Sequence, residues 1–87
     1  MANYSTPHSQ EWFDALEAFN PQQAAMTGQI LALAGRDDVC GVCGDDPASD
    51  YRLEGDLPED AVGTMRLCDD CKSIRAASYG ETFVPLP

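Results

Sequence analysis

The stretch DVCGVCG, from Asp38 to Gly44, places two cysteines three positions apart among glycines and acids, and RLCDDCKSI, from Arg66 to Ile74, repeats that spacing. A β-prone segment of 24 residues separates the two pairs. Two C-x-x-C pairs at this distance have the usual spacing of a tetrahedral site with four sulfur ligands. The sequence therefore predicts a bound metal ion, most naturally Zn²⁺ and alternatively iron. The predicted ligands are Cys40, Cys43, Cys68 and Cys71.

Free thiolates are expected in preference to disulfides because nothing in the sequence indicates an oxidising compartment. The opening residues MANYSTPHSQEW lack the basic segment and apolar core of a secretory signal. No apolar run approaches the roughly 20 residues that span a bilayer. We therefore expect a cytoplasmic protein, in which lasting disulfides are rare. A dithiol oxidoreductase is disfavoured as well, because the cysteine pairs lack a βαβ context.

The predicted metal site is closed, which favours a structural role over catalysis. A catalytic zinc ion usually keeps three protein ligands and an open position for water, whereas four cysteines complete a tetrahedron. The single histidine, His8, lies near the start of the first predicted helix, where we expect it to be exposed to solvent and not catalytic. The sequence therefore predicts a protein that is not an enzyme and has no catalytic residues.

The segment STPHSQEWFDALEAF predicts a first helix. Thr6 is the expected N-cap, and Pro7 takes the first helical position, where its missing N–H does no harm. Trp12, Leu16 and Phe19 recur at i, i+4 and i+7, which predicts one apolar stripe along the helix. We interpret this stripe as a core face, with a partner-binding face as the alternative.

A second helix follows at once, so residues 8–35 are predicted to form a helical hairpin. Asn20 is a good N-cap for this helix, and Gly35 is the expected residue after its last turn. Its apolar residues also recur at i, i+4 and i+7 and predict a second stripe. The stripe consists of Met26, Ile30 and Leu33.

Residues 36–80 are predicted to form the metal-binding module. DYRLEG and AVGTMRLC favour two paired strands, and DDCKSIRAASYG predicts a helix with Ile74 facing inward and Gly80 as its stop. Residues 1–7 are expected to be flexible, and residues 81–87 to form an extended tail because of their prolines. The predicted fold is a small single α+β domain, in which a helical hairpin precedes a knuckle, a β-hairpin and a helix.

A turn-borne cysteine pair and a helix-borne pair joined by a β-hairpin resemble the treble-clef zinc fingers, and RLCDDCKSI looks like the second knuckle of GATA-type fingers. The resemblance covers about residues 38–80 and implies zinc ligation by the four cysteines. GATA fingers bind DNA through Arg and Lys, and acidic residues fill this segment instead, so that role does not carry over. VCGVCG is also similar to rubredoxins, acidic proteins that hold one iron on four cysteines for electron transfer. Rubredoxins carry Cys-Pro-x-Cys-Gly as their second knuckle, where this chain has CDDCK.

The charge of the chain restricts its partners. Fifteen acidic residues against five basic ones give a formal charge of −10, and no Lys or Arg precedes Arg36. This composition disfavours direct binding of nucleic acid or of an anionic membrane, which both need clustered cations. We predict a non-enzymatic protein-interaction module whose protein partner has a basic or apolar surface; a homodimer through the helical hairpin is a further option. The alternatives are a rubredoxin-like electron carrier and an acidic nucleic-acid mimic that inhibits a DNA- or RNA-handling enzyme, of the anti-restriction or anti-CRISPR type.

Overall fold

Two helices come first along the chain, and a three-stranded sheet with a third helix follows them. The computed structural model describes residues 2–86. These elements, in a single small domain, confirm the predicted α+β class. The elements are α1 (Gln10–Phe19), α2 (Pro21–Ala34), β1 (Ala48–Leu53), β2 (Thr64–Cys68), α3 (Asp69–Tyr79) and β3 (Phe83–Pro85).

The first helix begins later than the sequence predicts. Ser9, and not Thr6, is the N-cap, because the Ser9 Oγ accepts a hydrogen bond from the Trp12 backbone N–H at 3.3 Å. Pro7 is buried ahead of the helix, and His8 has a φ of 67°, in the left-handed region. The chain therefore makes a tight turn at His8 before it becomes helical, which the cap-and-proline pattern did not reveal.

The ends of the other two helices lie where the sequence predicts them. Asn20 caps α2 through its Oδ1, which accepts a hydrogen bond from the Gln23 N–H at 3.2 Å. Gly35 and Gly80 end α2 and α3 with φ values of 72° and 65°. Glycine adopts this left-handed conformation without the steric cost that a Cβ brings.

The sheet is antiparallel and has the strand order β2-β1-β3. The hairpin of β1 and β2 pairs Ala48 with Cys68 at one end and Arg52 with Thr64 at the other. The short strand β3, which lies in the segment 81–87, pairs with the other edge of β1, so that Leu53 is opposite Phe83. Near the N-terminus, Asn3 forms an isolated parallel bridge with Val62.

The apolar core lies beside the cysteines. Tyr51 and Phe83 meet edge to face, with ring centroids 6.2 Å apart, and Leu67 is fully buried in the same cluster. Helix α1 adds a second buried patch, in which the Trp12 indole N–H donates to the Thr64 carbonyl at 2.9 Å. The core cluster of the sheet consists of Cys40, Tyr51, Leu53, Leu67, Cys68, Cys71 and Phe83.

The apolar stripe predicted for α2 does not form the core. The side chains of Met26 and Leu33 are 56% and 90% exposed, and the residue that α2 buries is Thr27, at 2% exposure. The sequence predicted this stripe without saying what it packs against. Thr27 faces the first cysteine turn, where its hydroxyl has a backbone partner, and of the stripe only Ile30 is half-buried. No helix among residues 2–86 is both long enough and apolar enough to cross a membrane.

Two core predictions fail at helix surfaces. Trp12 and Leu16 are buried as predicted, but Phe19 at the end of the same stripe is 41% exposed. Ile74, predicted to face inward, is 61% exposed on α3. In α3 the inward positions belong to Cys71 and to the partly buried Ala76, which packs against the core cluster.

Candidate metal centre

The fold brings the four cysteines together from two separate parts of the chain. Their Sγ atoms all lie within 4.8 Å of one another, and the Sγ atoms of Cys43 and Cys68 are 3.5 Å apart. Zinc–sulfur bonds of about 2.3 Å in a tetrahedron place the sulfur atoms roughly 3.8 Å apart. The cluster therefore has the dimensions and the donor set to hold a metal ion. The four residues are Cys40, Cys43, Cys68 and Cys71.

The first pair lies in a tight turn that precedes β1. The Gly44 N–H donates to the Cys40 carbonyl at 3.0 Å, and the Cys40 N–H donates to the Asp45 carbonyl at 2.9 Å. Gly44 has a φ of 79°, which lets the backbone reverse directly after Cys43. The Val42 N–H points at the Cys40 sulfur, at 3.4 Å. Such backbone donors stabilise the thiolate form of a cysteine.

The second pair lies where β2 becomes α3. Cys68 is the last residue of β2 and also the N-cap of α3, and its Sγ accepts a hydrogen bond from the Cys71 N–H at 3.5 Å. The first turn of a helix carries free N–H groups and the positive end of the helix dipole. Both features favour negatively charged sulfur at this position.

Three of the four cysteines belong to the hydrophobic core. Cys40, Cys68 and Cys71 are buried, whereas Cys43 is exposed. The cluster therefore lies at the edge of the core with one side toward solvent. An ion held there would join the turn, the sheet and α3, which is the position that a structural metal site takes in a small domain.

The pKa values of three thiols in the cluster are shifted, and not all in the same direction. Burial opposes ionisation of Cys40, but backbone N–H groups that point at its sulfur outweigh it and lower its pKa to about 7. Burial raises the pKa of Cys43 to about 11, and burial together with the neighbouring thiols raises the pKa of Cys71 as well. Cys40 therefore ionises more readily than Cys43 and Cys71, which keep their protons until a cation replaces them.

The helical hairpin contacts the first cysteine turn directly at Gly41. The Thr27 hydroxyl donates to the Gly41 carbonyl at 3.2 Å, and the Gly41 N–H donates to the Arg66 carbonyl at 3.0 Å. A Cβ at position 41 would lie 2.9 Å from His8 Nε2 and 3.4 Å from Thr27 Cγ2. Glycine is therefore required here by close packing, a role that the cysteine spacing alone did not indicate.

His8 is buried, at 8% exposure, so the prediction that it is exposed was wrong. Its Nδ1 lies 2.6 Å from the Asp37 carbonyl oxygen, and its ring packs edge to face against Trp12 at a centroid distance of 5.1 Å. Burial lowers the pKa of the His8 imidazole, with Arg66 acting in the same direction. No pattern signalled this burial, because His8 precedes α1 and belongs to no periodic stripe.

An ion pair ties the loop before the first cysteine to the sheet. Arg66 donates to both carboxylate oxygens of Asp50 at 2.6 and 3.1 Å, across the β1–β2 pair. The Arg66 Nη1 also donates to the Asp37 carbonyl at 2.8 Å, the same oxygen that His8 contacts. Among the described residues, this carbonyl thus links the loop before the metal site to both β2 and the segment ahead of α1.

Comparisons with known proteins give no relative for this chain. No family model matches it, no curated protein matches it and no solved structure matches it.

Proposed function

We propose that this chain is a non-enzymatic protein-interaction module whose fold is stabilised by one zinc ion on four cysteines. The observation that carries the proposal is the burial of Cys40, Cys68 and Cys71 in the core cluster, with all four sulfur atoms within 4.8 Å of one another. Four thiolates complete the coordination of zinc and leave no position for water or substrate. The ion would therefore hold the fold together and not take part in a reaction.

The order of elements around the cysteines supports a treble-clef type of site. The first pair lies in a turn, β1 and β2 follow as an antiparallel hairpin, and the second pair lies at the start of α3. This is the order of turn, hairpin and helix that such zinc fingers share. With 87 residues and a core of a few large side chains, the domain also belongs to the size class that usually needs a metal or disulfide for stability.

The metal content of the purified protein tests this part of the proposal. Native mass spectrometry and elemental analysis are expected to give one zinc ion per chain. Four sulfur ligands suit iron as well. A red protein with one iron per chain would favour the electron-carrier alternative, whereas a protein with no metal would contradict both.

The helical hairpin offers the surface that we assign to a partner. Helix α2 contains no charged residue over Pro21–Ala34, although the chain carries fifteen acids. Its outward side chains include Met26 and Leu33, and Phe19 at the end of α1 is also exposed. An uncharged apolar helix face on an otherwise acidic protein suits a partner with an apolar patch bordered by basic residues.

Capture of partners by matched variants tests the interaction. Leu33→Glu is expected to abolish binding because it places a charge in the apolar face. Ile74→Glu introduces the same charge at an exposed position of α3 and is expected to leave binding unchanged. Light scattering on the same two variants reports whether the partner is a second copy of the chain. Binding that survives Leu33→Glu would contradict the assignment of this face.

The acidic segment favours one alternative, a mimic of nucleic acid. Eleven Asp and Glu residues stand against two Arg between Asp37 and Asp70. Acids such as Asp56 and Asp60 in the β1–β2 connection are exposed. A complex formed through these carboxylates weakens steeply with added salt, whereas one formed through α2 does not. The salt dependence of the captured complex therefore distinguishes the two functions.

A further inference from the structure

A cavity of about 260 Å³ lies between the helical hairpin and the sheet, and no cysteine lines it. Its walls are mainly apolar, and Phe19, which is 41% exposed, brings one edge of the cavity to the surface. A cavity of about 150 Å³ with apolar walls already binds a benzene molecule. The apolar lining includes Trp12, Leu16, Phe19, Leu53, Leu57 and Ala61.

Unpaired polar atoms belong to residues that line this cavity. Among residues 2–86, the buried side-chain polar atoms with neither a hydrogen-bond nor an ion-pair partner are His8 Nε2 and Arg75 Nε. Both residues line the cavity. A buried polar atom without a partner costs about 1–3 kcal/mol, so native structures rarely keep two in one cavity. An apolar cavity with a few convergent polar groups is typical of a ligand site.

The hydrogen bond at Nδ1 determines the tautomer of His8 and therefore whether the free Nε2 donates or accepts. A carbonyl oxygen only accepts hydrogen bonds, so the Nδ1 that lies 2.6 Å from the Asp37 oxygen carries the hydrogen of a neutral ring. The other nitrogen, Nε2, then presents a lone pair and needs a donor. The residue is 8% exposed, so bulk water does not readily supply one.

The charges around the cavity are balanced. Arg66 forms an ion pair with Asp50 at 2.6 Å, and Arg75 Nη2 lies 3.2 Å from Glu81 Oε1. Both arginines line the cavity, but each already has its carboxylate. A charged ligand would therefore meet no uncompensated opposite charge, and a neutral ligand fits best.

We propose that this cavity binds a small neutral aromatic molecule whose N–H or O–H group donates a hydrogen bond to His8 Nε2. The aromatic ring would pack among Trp12, Leu16 and Phe19, where apolar and aromatic side chains favour it. The free Arg75 Nε–H, on another residue that lines the cavity, would donate a hydrogen bond to a carbonyl or ether oxygen of a larger ligand.

Two matched probes test it in the metal-loaded protein. Indole carries the N–H donor, and N-methylindole has nearly the same ring without it. Titration followed by proton–nitrogen NMR is expected to show saturable shifts at Trp12, Leu16 and Ala61. Indole is expected to bind about fivefold more tightly than N-methylindole, the range of one neutral hydrogen bond.

A variant of His8 assigns the difference to the free nitrogen. His8→Asn keeps a side-chain donor for the Asp37 carbonyl, and asparagine tolerates the left-handed backbone at φ 67°. It removes Nε2, so indole affinity should fall about fivefold to the level of N-methylindole. Shifts that do not saturate at millimolar probe, or equal affinities of the two probes, overturn the proposal. If His8→Asn does not fold, the comparison of the two probes on the natural chain still decides.

Discussion

The Thr27 hydroxyl donates a hydrogen bond to the Gly41 carbonyl across 3.2 Å, and this contact joins α2 to the turn that carries the first two cysteines. Both residues are buried, and the Thr27 oxygen also accepts a hydrogen bond from the Gln23 side-chain amide. The helical hairpin and the metal centre are therefore parts of one packed unit. A substitution at Thr27 should therefore disturb the turn that carries Cys40 and Cys43, although no cysteine lies in α2.

Replacing Thr27 by Val keeps the shape of the side chain and removes the hydroxyl. The Gly41 carbonyl then loses a buried partner, so we expect the free energy of unfolding to fall by about 1–3 kcal/mol. Urea titration of the metal-loaded protein measures the change. Thr27→Ser, which keeps the hydroxyl and loses a methyl group, serves as the control and should be the less destabilised of the two. A Val variant as stable as the natural chain would contradict the assigned role of this contact.

We expect Gly41→Ala and Gly28→Ala to change the stability of the fold in opposite directions. A Cβ at position 41 would lie 2.9 Å from His8 Nε2, so the alanine should destabilise the fold by about 1–3 kcal/mol. A Cβ at Gly28 in α2 meets no atom within 4 Å, so the alanine should stabilise the helix by about 0.5–1 kcal/mol. Thermal unfolding of both variants, followed by circular dichroism, gives the comparison. The prediction fails if the two substitutions change stability in the same direction.

Cys68→Ser should abolish metal binding and the folding that depends on it. Cys68 is at once a predicted ligand, the last residue of β2 and the N-cap of α3. Structural zinc in small finger domains contributes about 10–16 kcal/mol of apparent binding free energy, which is as large as the whole free energy of unfolding of a small domain. Asp70→Ser, an exposed change inside the same cysteine pair, is the control and should keep the metal. Native mass spectrometry and NMR dispersion report both outcomes, and a folded, metal-loaded Cys68→Ser would refute the ligand assignment.

Metal binding should release protons and strengthen as the pH rises. Burial raises the pKa of Cys43 to about 11 and also raises the pKa of Cys71, so in the metal-free state both thiols are protonated near neutral pH. An ion needs both as thiolates, so at least these two protons leave on binding, and the apparent affinity should rise at least about 100-fold per pH unit. Acid acts in the opposite direction and expels the ion. Calorimetry in buffers of different ionisation enthalpy counts the protons; a count of zero would show that the cysteines do not bind the metal.

Removal of the metal should unfold the cysteine-bearing half of the chain. Cys40, Cys68 and Cys71 form part of the core cluster, and without an ion nothing bonds these sulfur atoms to one another or to Cys43. Chelation is expected to remove the NMR dispersion of β1, β2 and α3, with recovery when zinc is returned. A dispersed spectrum that chelation leaves unchanged would mean that the apolar core suffices without the ion.

Much of the local structure could be predicted because it rests on neighbours in sequence. The helix ends depend on the backbone of only a few neighbouring residues. They lie where predicted, with Asn20 at the start of α2 and with Gly35 and Gly80 at the ends of α2 and α3. Each cysteine pair is also a local feature, since the first lies on one tight turn and the second on the first turn of α3. These features need no knowledge of what packs against them.

The sequence by itself determined the α+β class, the helix ends at Asn20 and Gly80, and the pairing of cysteines into a cluster. The tertiary structure decided which helix faces are buried, because burial depends on partners that are distant along the chain. Thr27 is buried by its bond to Gly41, and Leu33 is exposed as a consequence. His8 is buried for the same reason, since the Asp37 carbonyl that holds it lies 29 residues away and no local pattern encodes that contact.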